Sequence, residues 1–403
     1  MNNIPKLRFP EFNGEWEKKK LGEVAEFSKG KGISKADIVE NGNTECIRYG
    51  ELYTHYGETI NKVKSKTNID VKNLVLSEAN DVIIPASGET QIDIATASCV
   101  LKNGIALGGD LNIIKTKNEG VFLSYYLNSK KKYEIANLAQ GISVVHLYSS
   151  QLSQLVLNLP FKTEQTKIAT FLTAVDEKLQ ALKKKKAFLE HYKKGVMQKI
   201  FSQELRFKPA LSEVEGDENG KDFPDWEVKK LGEVCEINMG QSPSSKSYNS
   251  IGNGIPLIQG NADIQNRVTS PRNWTTEKTK ECIIGDLILT VRAPVGAVAK
   301  SMHNACIGRG VCSIRSNPNS NIEFIYQFLL DYETKWSSLE QGSTFTAVSG
   351  IEIKKLEIHF PSLPEQTRIA NFLSALDEKI NQTQTQIEKT VVWKKGLLQK
   401  MFV

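Results

Sequence analysis

The sequence predicts two α/β (α+β) domains, each followed by a long helix, with the two helices paired as an antiparallel coiled coil and the halves related as an internal repeat with an approximate twofold axis. Three observations carry this. The stretch TEQTKIATFLTAVDEKL from Thr163 returns as PEQTRIANFLSALDEKI from Pro364. The lead-in WEKKKLGEVAE from Trp16 returns as WEVKKLGEVCE from Trp226, and the tail YKKGVMQKIF ending at Phe201 returns as WKKGLLQKMF ending at Phe402. The apolar residues of both long stretches recur with a mean step of about 3.5 residues, the coiled-coil period. Weaker echoes keep step between these pieces, IRYGEL with LIQGNA and LAQGIS with LEQGST. Pieces that recur in one order mark a duplication rather than a chance helix match.

A chain of 403 residues exceeds what one hydrophobic core usually serves. The repeat places a first domain at 1–160, its helix at 161–201, a linker at 202–222, a second domain at 223–361 and its helix at 362–403. Inside the domains, DVIIPAS, LNIIKT, DLILTVRAPVG and GVCSIR read as strands of a twisted sheet, and FLSYYLNS and IEFIYQFLLDY as helices. Pro209, Gly216, Gly220 and several acids between Ser202 and Asp222 break any periodicity, as a linker does.

The helices follow from their seams. Alternate steps of four and three residues from Ile168 reach Leu172, Val175, Leu179, Leu182, Lys186, Leu189, Lys193, Val196 and Ile200; from Ile369 they reach Leu373, Leu376, Ile380, Thr383, Ile387, Thr390, Lys394, Leu397 and Met401. One narrow apolar stripe on each helix needs a partner, and each can serve the other. Thr163 is placed to cap the first helix, and Pro364 suits the first turn of the second. A helix from Thr163 to Phe201 would be about 58 Å long, a spacer rather than a core element. The seam lysines Lys193 and Lys394 hold matching positions: either they snorkel to solvent, or they fix register and orientation. The linker lets the chain enter the second domain at the far end of the first helix, which favours the antiparallel pairing.

Composition excludes several classes. No run reaches the roughly 18 to 20 apolar residues that cross a bilayer, and the start MNNIPKLRFPEF lacks a signal-peptide pattern, so a cytoplasmic protein is expected. The six cysteines form no C-x-x-C pair and read as free thiols. A net charge of +6 suits a polyanionic partner. The phosphate loop, the H-E-x-x-H zinc motif and the G-x-S-x-G elbow are absent from the sequence. Asp176, Glu177 and Lys178, repeated as Asp377, Glu378 and Lys379, point about 100° apart on one helix, so they cannot converge on a metal and read as a solvated face.

Loop residues of both domains match the chemistry of base edges and phosphates. In the first these are Lys29, Lys31, Ser34, Lys35, Arg48, Tyr49, Ser87, Thr90 and Gln91. In the second they are Gln241, Ser242, Ser244, Lys246, Tyr248, Gln259, Asn261, Arg267, Arg292 and Arg309. Arginine and lysine donate to guanine, glutamine and asparagine pair with adenine, and hydroxyls and glycine-exposed amides bind phosphate.

The paired P-x-x-x-EQ-x-x-I-A-x-FL opening, the KKGLLQKMF ending and the W-x-x-KKLGEV lead-in, each present twice over essentially the whole chain, resemble the specificity subunit of type I restriction-modification systems. The resemblance implies two target-recognition domains, each reading one half of a split double-stranded DNA sequence, held by two helices that act as a ruler. It implies a non-catalytic chain that recruits two methyltransferase subunits and two restriction subunits. S-adenosylmethionine, ATP and magnesium would then belong to those partners, with no cofactor or metal here. The chain departs from the pattern at KTEQ, where the second copy has LPEQ, and in its long acidic linker. Two such readers would meet DNA about one helical turn, roughly 34 Å, apart. Removing one four-residue step from the helix is expected to shorten the unread gap; an unchanged gap among the methylated sites would sink the ruler idea. The alternative is a coiled-coil scaffold or adaptor that ignores DNA sequence, and a stand-alone nuclease or methyltransferase is disfavoured by the missing motifs.

Overall fold

In the computed structural model, which describes residues 3–208, 222–340 and 347–403, the tryptophan-led repeats open each domain as a strand. Glu17–Lys20 pairs antiparallel with Val156–Leu159, and Glu227–Lys230 with Glu357–Phe360, so the start of each domain is bonded to its end. The chain divides into two compact units, Met1–Lys183 with Thr385–Val403, and Lys184–Gln384.

In the first unit the LNIIKT run is the strand Leu111–Thr116, set between Ala25–Lys29 and Val82–Pro85 in a five-stranded sheet completed by Ser98–Val100 and Thr59–Ile60. Val82–Pro85 is buried along its whole length, and this explains why it reads as a continuous apolar run rather than an alternation. A second sheet orders Ser65–Thr67, Thr44–Ile47, Ala106–Leu107 and Val75–Leu76. The second unit repeats the plan. Cys235–Met239, Val311–Ser316 and Leu287–Thr290 lead a six-stranded sheet, and Ile255–Ile258 lies beside Ala305–Ile307 in a five-stranded one. FLSYYLNS and IEFIYQFLLDY fall in the helices Gly120–Ser129 and Ile322–Glu340.

The two long helices run from Lys162 to Phe201 and from Leu363 to Met401, 40 and 39 residues, each about 60 Å at 1.5 Å per residue. Thr163 is therefore already inside the first helix and does not cap it; the amides of Glu164 and Gln165 bond instead to the Phe161 carbonyl. Pro364 does sit in the first turn of the second. In the first unit the beginning of the first helix meets the end of the second, with Phe171 edge-on to Trp393 at 6.0 Å. In the second unit the end of the first helix meets the beginning of the second, so the pair is antiparallel.

Along the seam Ile168, Leu172, Val175, Ile369, Leu373, Leu376, Ile387 and Leu397 are buried, and Leu179, Leu182, Leu189, Val196 and Ile380 are half-buried. Thr383 and Thr390 are buried too, each satisfied by the carbonyl four residues back. The first helix is more than a spacer, contrary to its narrow stripe. Ile168, Ala169, Leu172 and Val175 belong to the core around Trp16, Phe122 and Tyr126, because Ala169 broadens the buried face there.

Of the acid-rich trios, Glu177, Lys178, Glu378 and Lys379 are exposed as a solvated face requires, whereas Asp176 and Asp377 are not free there. Lys193 Nζ donates to both oxygens of Asp377 at 2.7 and 2.8 Å, and Gln327 donates to the same carboxylate at 2.9 Å. Lys394 Nζ lies 2.7 Å from Asp176 Oδ1 and 3.3 Å from Glu58 Oε2, over the ring of Tyr125, whose hydroxyl donates to Asp176. Each copy thus contributes its lysine to the aspartate of the other copy, which fits the register-fixing role and not snorkelling.

What the EQ dipeptide does is visible only in three dimensions. Glu164 and Glu365 are 1% and 0% exposed. Glu164 accepts from Arg8 at 2.8 and 2.7 Å and from the Trp16 indole at 3.4 Å; Glu365 accepts from Arg206 at 3.2 and 2.9 Å and from the Trp226 indole at 3.0 Å. Gln165 and Gln366 tie the same helix turns to the Pro160 and Pro361 carbonyls and to the amides of Glu119 and Asn321. The arginines belong to a third repeated piece, LRF at Leu7–Phe9 and Leu205–Phe207. Leu7 N donates to Lys400 O and Leu205 N to Lys199 O, so each LRF closes the end of a long helix. Residues 202–208 of the expected linker are thereby docked, and its 209–221 portion lies outside the described residues. The last residues of the LEQGST echo lie outside them as well.

All six cysteines are free and buried. Burial pushes the thiols of Cys99, Cys235 and Cys312 up to about 12, and burial with the Glu51 carboxylate pushes Cys46 to about 11, so none of these four is a nucleophile at neutral pH.

Candidate nucleic-acid interface

Six of the loop residues singled out from the sequence converge in the second unit. Ser242, Tyr248, Gln259, Asn261, Arg292 and Arg309 line one open cleft of about 530 Å³. Gln259 begins where the strand Ile255–Ile258 ends, and its amide is held by the buried carboxylate of Asp263 at 2.8 Å. Its side chain donates to the Tyr248 hydroxyl at 3.1 Å. Arg309 follows the strand Ala305–Ile307, and its amide donates to Ser242 Oγ at 3.1 Å. Arg292 follows the buried strand Leu287–Thr290 and is exposed.

In the first unit the corresponding loops carry different chemistry. The Arg48 amide is held by Glu51, and its guanidinium reaches the same carboxylate at 3.4 Å. Ser87 donates to Asp110 at 3.1 Å and lies 3.3 Å from His146 Nδ1. His146 stacks on Tyr148, and Lys29 Nζ is 5.9 Å from the Tyr148 ring. The trio is not a nucleophile relay. The serine sits between acid and imidazole, whereas activation needs the imidazole between serine and acid. His146 and Tyr148 went unnoticed in the sequence because their strand and loop carry no periodic or motif signal.

Other candidates have local duties. Ser34 and Thr90 donate to Asp37 and Asp93, each at 2.6 Å, in helix-capping turns. The Ser244 amide donates to Glu277. Arg267 pairs with Glu333 and bonds the Val298 carbonyl. Lys31, Lys35, Gln91, Gln241 and Lys246 are exposed, and Tyr49 is half-buried. Among the described residues no group of three or more His, Cys, Asp or Glu is placed to hold a metal, and no helix is long and apolar enough to cross a membrane.

The repeated domain is a known one. The family model for the type I restriction modification DNA specificity domain matches residues 13–191 and again 224–391. The chain belongs to the type I restriction-modification DNA specificity family. Over 283 residues it is 33% identical to the MjaX type I restriction enzyme specificity subunit of Methanocaldococcus jannaschii, covering 68% of this chain and 66% of that one, just under two thirds of its length. It is 24% identical over 411 residues to the MjaVIII specificity subunit of the same organism, covering 95% of this chain and 91% of that one. The crystal structure of the type I restriction-modification S subunit from M. genitalium has the same fold, with a TM-score of 0.67 at 17% identity over 99% of each chain.

Proposed function

We propose that this chain is the DNA-reading subunit of a type I restriction-modification complex. Each unit binds one half of a split duplex target, and the residues between the halves go unread. The observation that carries this reading is the cleft of the second unit, where two exposed arginines and the amides of Gln259 and Asn261 stand together. Guanidinium and carboxamide groups are what base edges in the major groove accept. The chemistry of methyl transfer and cleavage is assigned to partners: two methyltransferase subunits carrying S-adenosylmethionine, and two restriction subunits carrying ATP and magnesium. The family membership supports this division of labour.

The test is co-expression with a type I methyltransferase subunit, followed by mapping of methylated adenines across the host genome. A single bipartite motif with a fixed gap is the expected result. Methylation without sequence preference, or none, would instead favour a scaffold that brings other subunits together without reading DNA.

A further inference from the structure

Both units build one backbone frame and hang different side chains on it. In each, a strand runs parallel to another that ends in a glycine corner: Cys46–Ile47 beside Ala106–Leu107, and Leu257–Ile258 beside Cys306–Ile307. Four backbone bonds then recur. Gly108 N donates to Ile47 O at 2.9 Å and Gly308 N to Ile258 O at 2.8 Å; Lys31 N donates to Leu107 O at 3.0 Å and Gln241 N to Ile307 O at 2.9 Å. Gly30 N donates to Leu111 O and Gly240 N to Val311 O, both at 3.0 Å, while Ala86 N donates to Asp110 O at 2.7 Å and Val291 N to Gly310 O at 2.9 Å. The frame depends on glycine: a Cβ on Gly30 would lie 1.9 Å from Gly108 O, and one on Gly240 would lie 2.2 Å from Gly308 O.

Main-chain bonds fix where each side chain starts, whatever that side chain is. The residue after the parallel strand is Arg48 in one unit and Gln259 in the other. The second residue after the buried central strand is Ser87 or Arg292, and the glycine corner holds Gly109 or Arg309. We propose that these three paired positions select the base sequence of each half-site, and that Arg292 and Arg309 each read a guanine in the half-site of the second unit. The proposal rests on the DNA-reading function above.

Charge singles out the two arginines. Arg206, Arg267, Arg272 and Arg315 of the second unit each pair with a carboxylate. Among the described residues neither Arg292 nor Arg309 has such a partner, although both line the cleft. A guanidinium held without an acid keeps its forked donors for an external acceptor pair, and guanine O6 and N7 supply one. Arg48, by contrast, is already shared with Glu51, so the first unit reads with a different chemical set.

The experiment gives the second unit the residues that the first unit carries on the same frame, Arg292→Ser with Arg309→Gly. Both side chains are exposed and the frame already accommodates serine and glycine there, so folding is retained. Co-expressed with the methyltransferase subunit, the variant is expected to lose guanine preference by about 10-fold or more at one or two positions of one half-site, with the other half-site unchanged. Two half-sites identical to those of the wild-type chain overturn the proposal alone. Absence of any sequence-dependent methylation by the wild-type chain overturns the DNA-reading function and this proposal together. As a second measurement, 7-deazaguanine placed in that half-site removes the N7 acceptor; it should weaken binding of the wild-type complex and not of the variant, and equal weakening of both overturns the assignment.

Discussion

Replacing Arg206 by alanine is expected to lower the stability of the second unit by about 3 to 5 kcal/mol. Its partner Glu365 is 0% exposed and, among the described residues, would keep only the Trp226 indole at 3.0 Å. A carboxylate left without its cation in a buried site loses more than one hydrogen bond, because its desolvation is no longer offset. Urea unfolding of Arg206→Ala should show the loss. The double variant Arg206→Met with Glu365→Leu should recover most of it, since removing both charges removes the penalty. If the single and double variants unfold at the same urea concentration, the ion pair does not anchor the helix start.

The Lys394→Ala variant is expected to cost about 2 to 3 kcal/mol, less than a fully buried pair because Glu58 and Asp176 keep 19% and 26% of their side-chain surface. Without the ammonium group two carboxylates face each other beside the Tyr125 hydroxyl. Exchanging the charges, Lys394→Asp with Asp176→Lys, should restore part of the loss in a thermal melt. A melt of Lys394→Ala within 1 °C or so of the wild type would mean that the seam lysine does no more than snorkel.

Much of this architecture was legible because the duplication supplies its own control. A residue that recurs at the same place in both copies, such as Trp16 with Trp226 or Glu164 with Glu365, reads as part of the scaffold. The seam was legible from period alone. The helix cap lies two residues before the one that the sequence suggests, since Thr163 has the chemistry of a cap but the Phe161 carbonyl takes the first amides. LRF escaped because three residues are too short to stand out without their partners, Glu164 and Lys400 in one case, Glu365 and Lys199 in the other. The order of strands was not legible at all. Leu107 meets Ile47 and Ile307 meets Ile258 across long stretches of chain, and local sequence carries no record of such register. For the same reason the loop candidates could be named from side-chain chemistry, but which of them share a cleft could not.

The ring of Phe402 packs against Trp16, Phe122 and Tyr126, so the unit made first on the ribosome is the one completed last. The second unit is a continuous stretch, Lys184–Gln384, whereas the first needs Thr385–Val403. At about 5 to 20 residues per second, the first unit waits on the order of 10 to 40 s for its closing segment. During that interval its core is open at the place the last helix fills. Birth order and folding order are therefore inverted in this chain, and a stop codon ahead of Phe402 would be felt most by the part of the protein translated first.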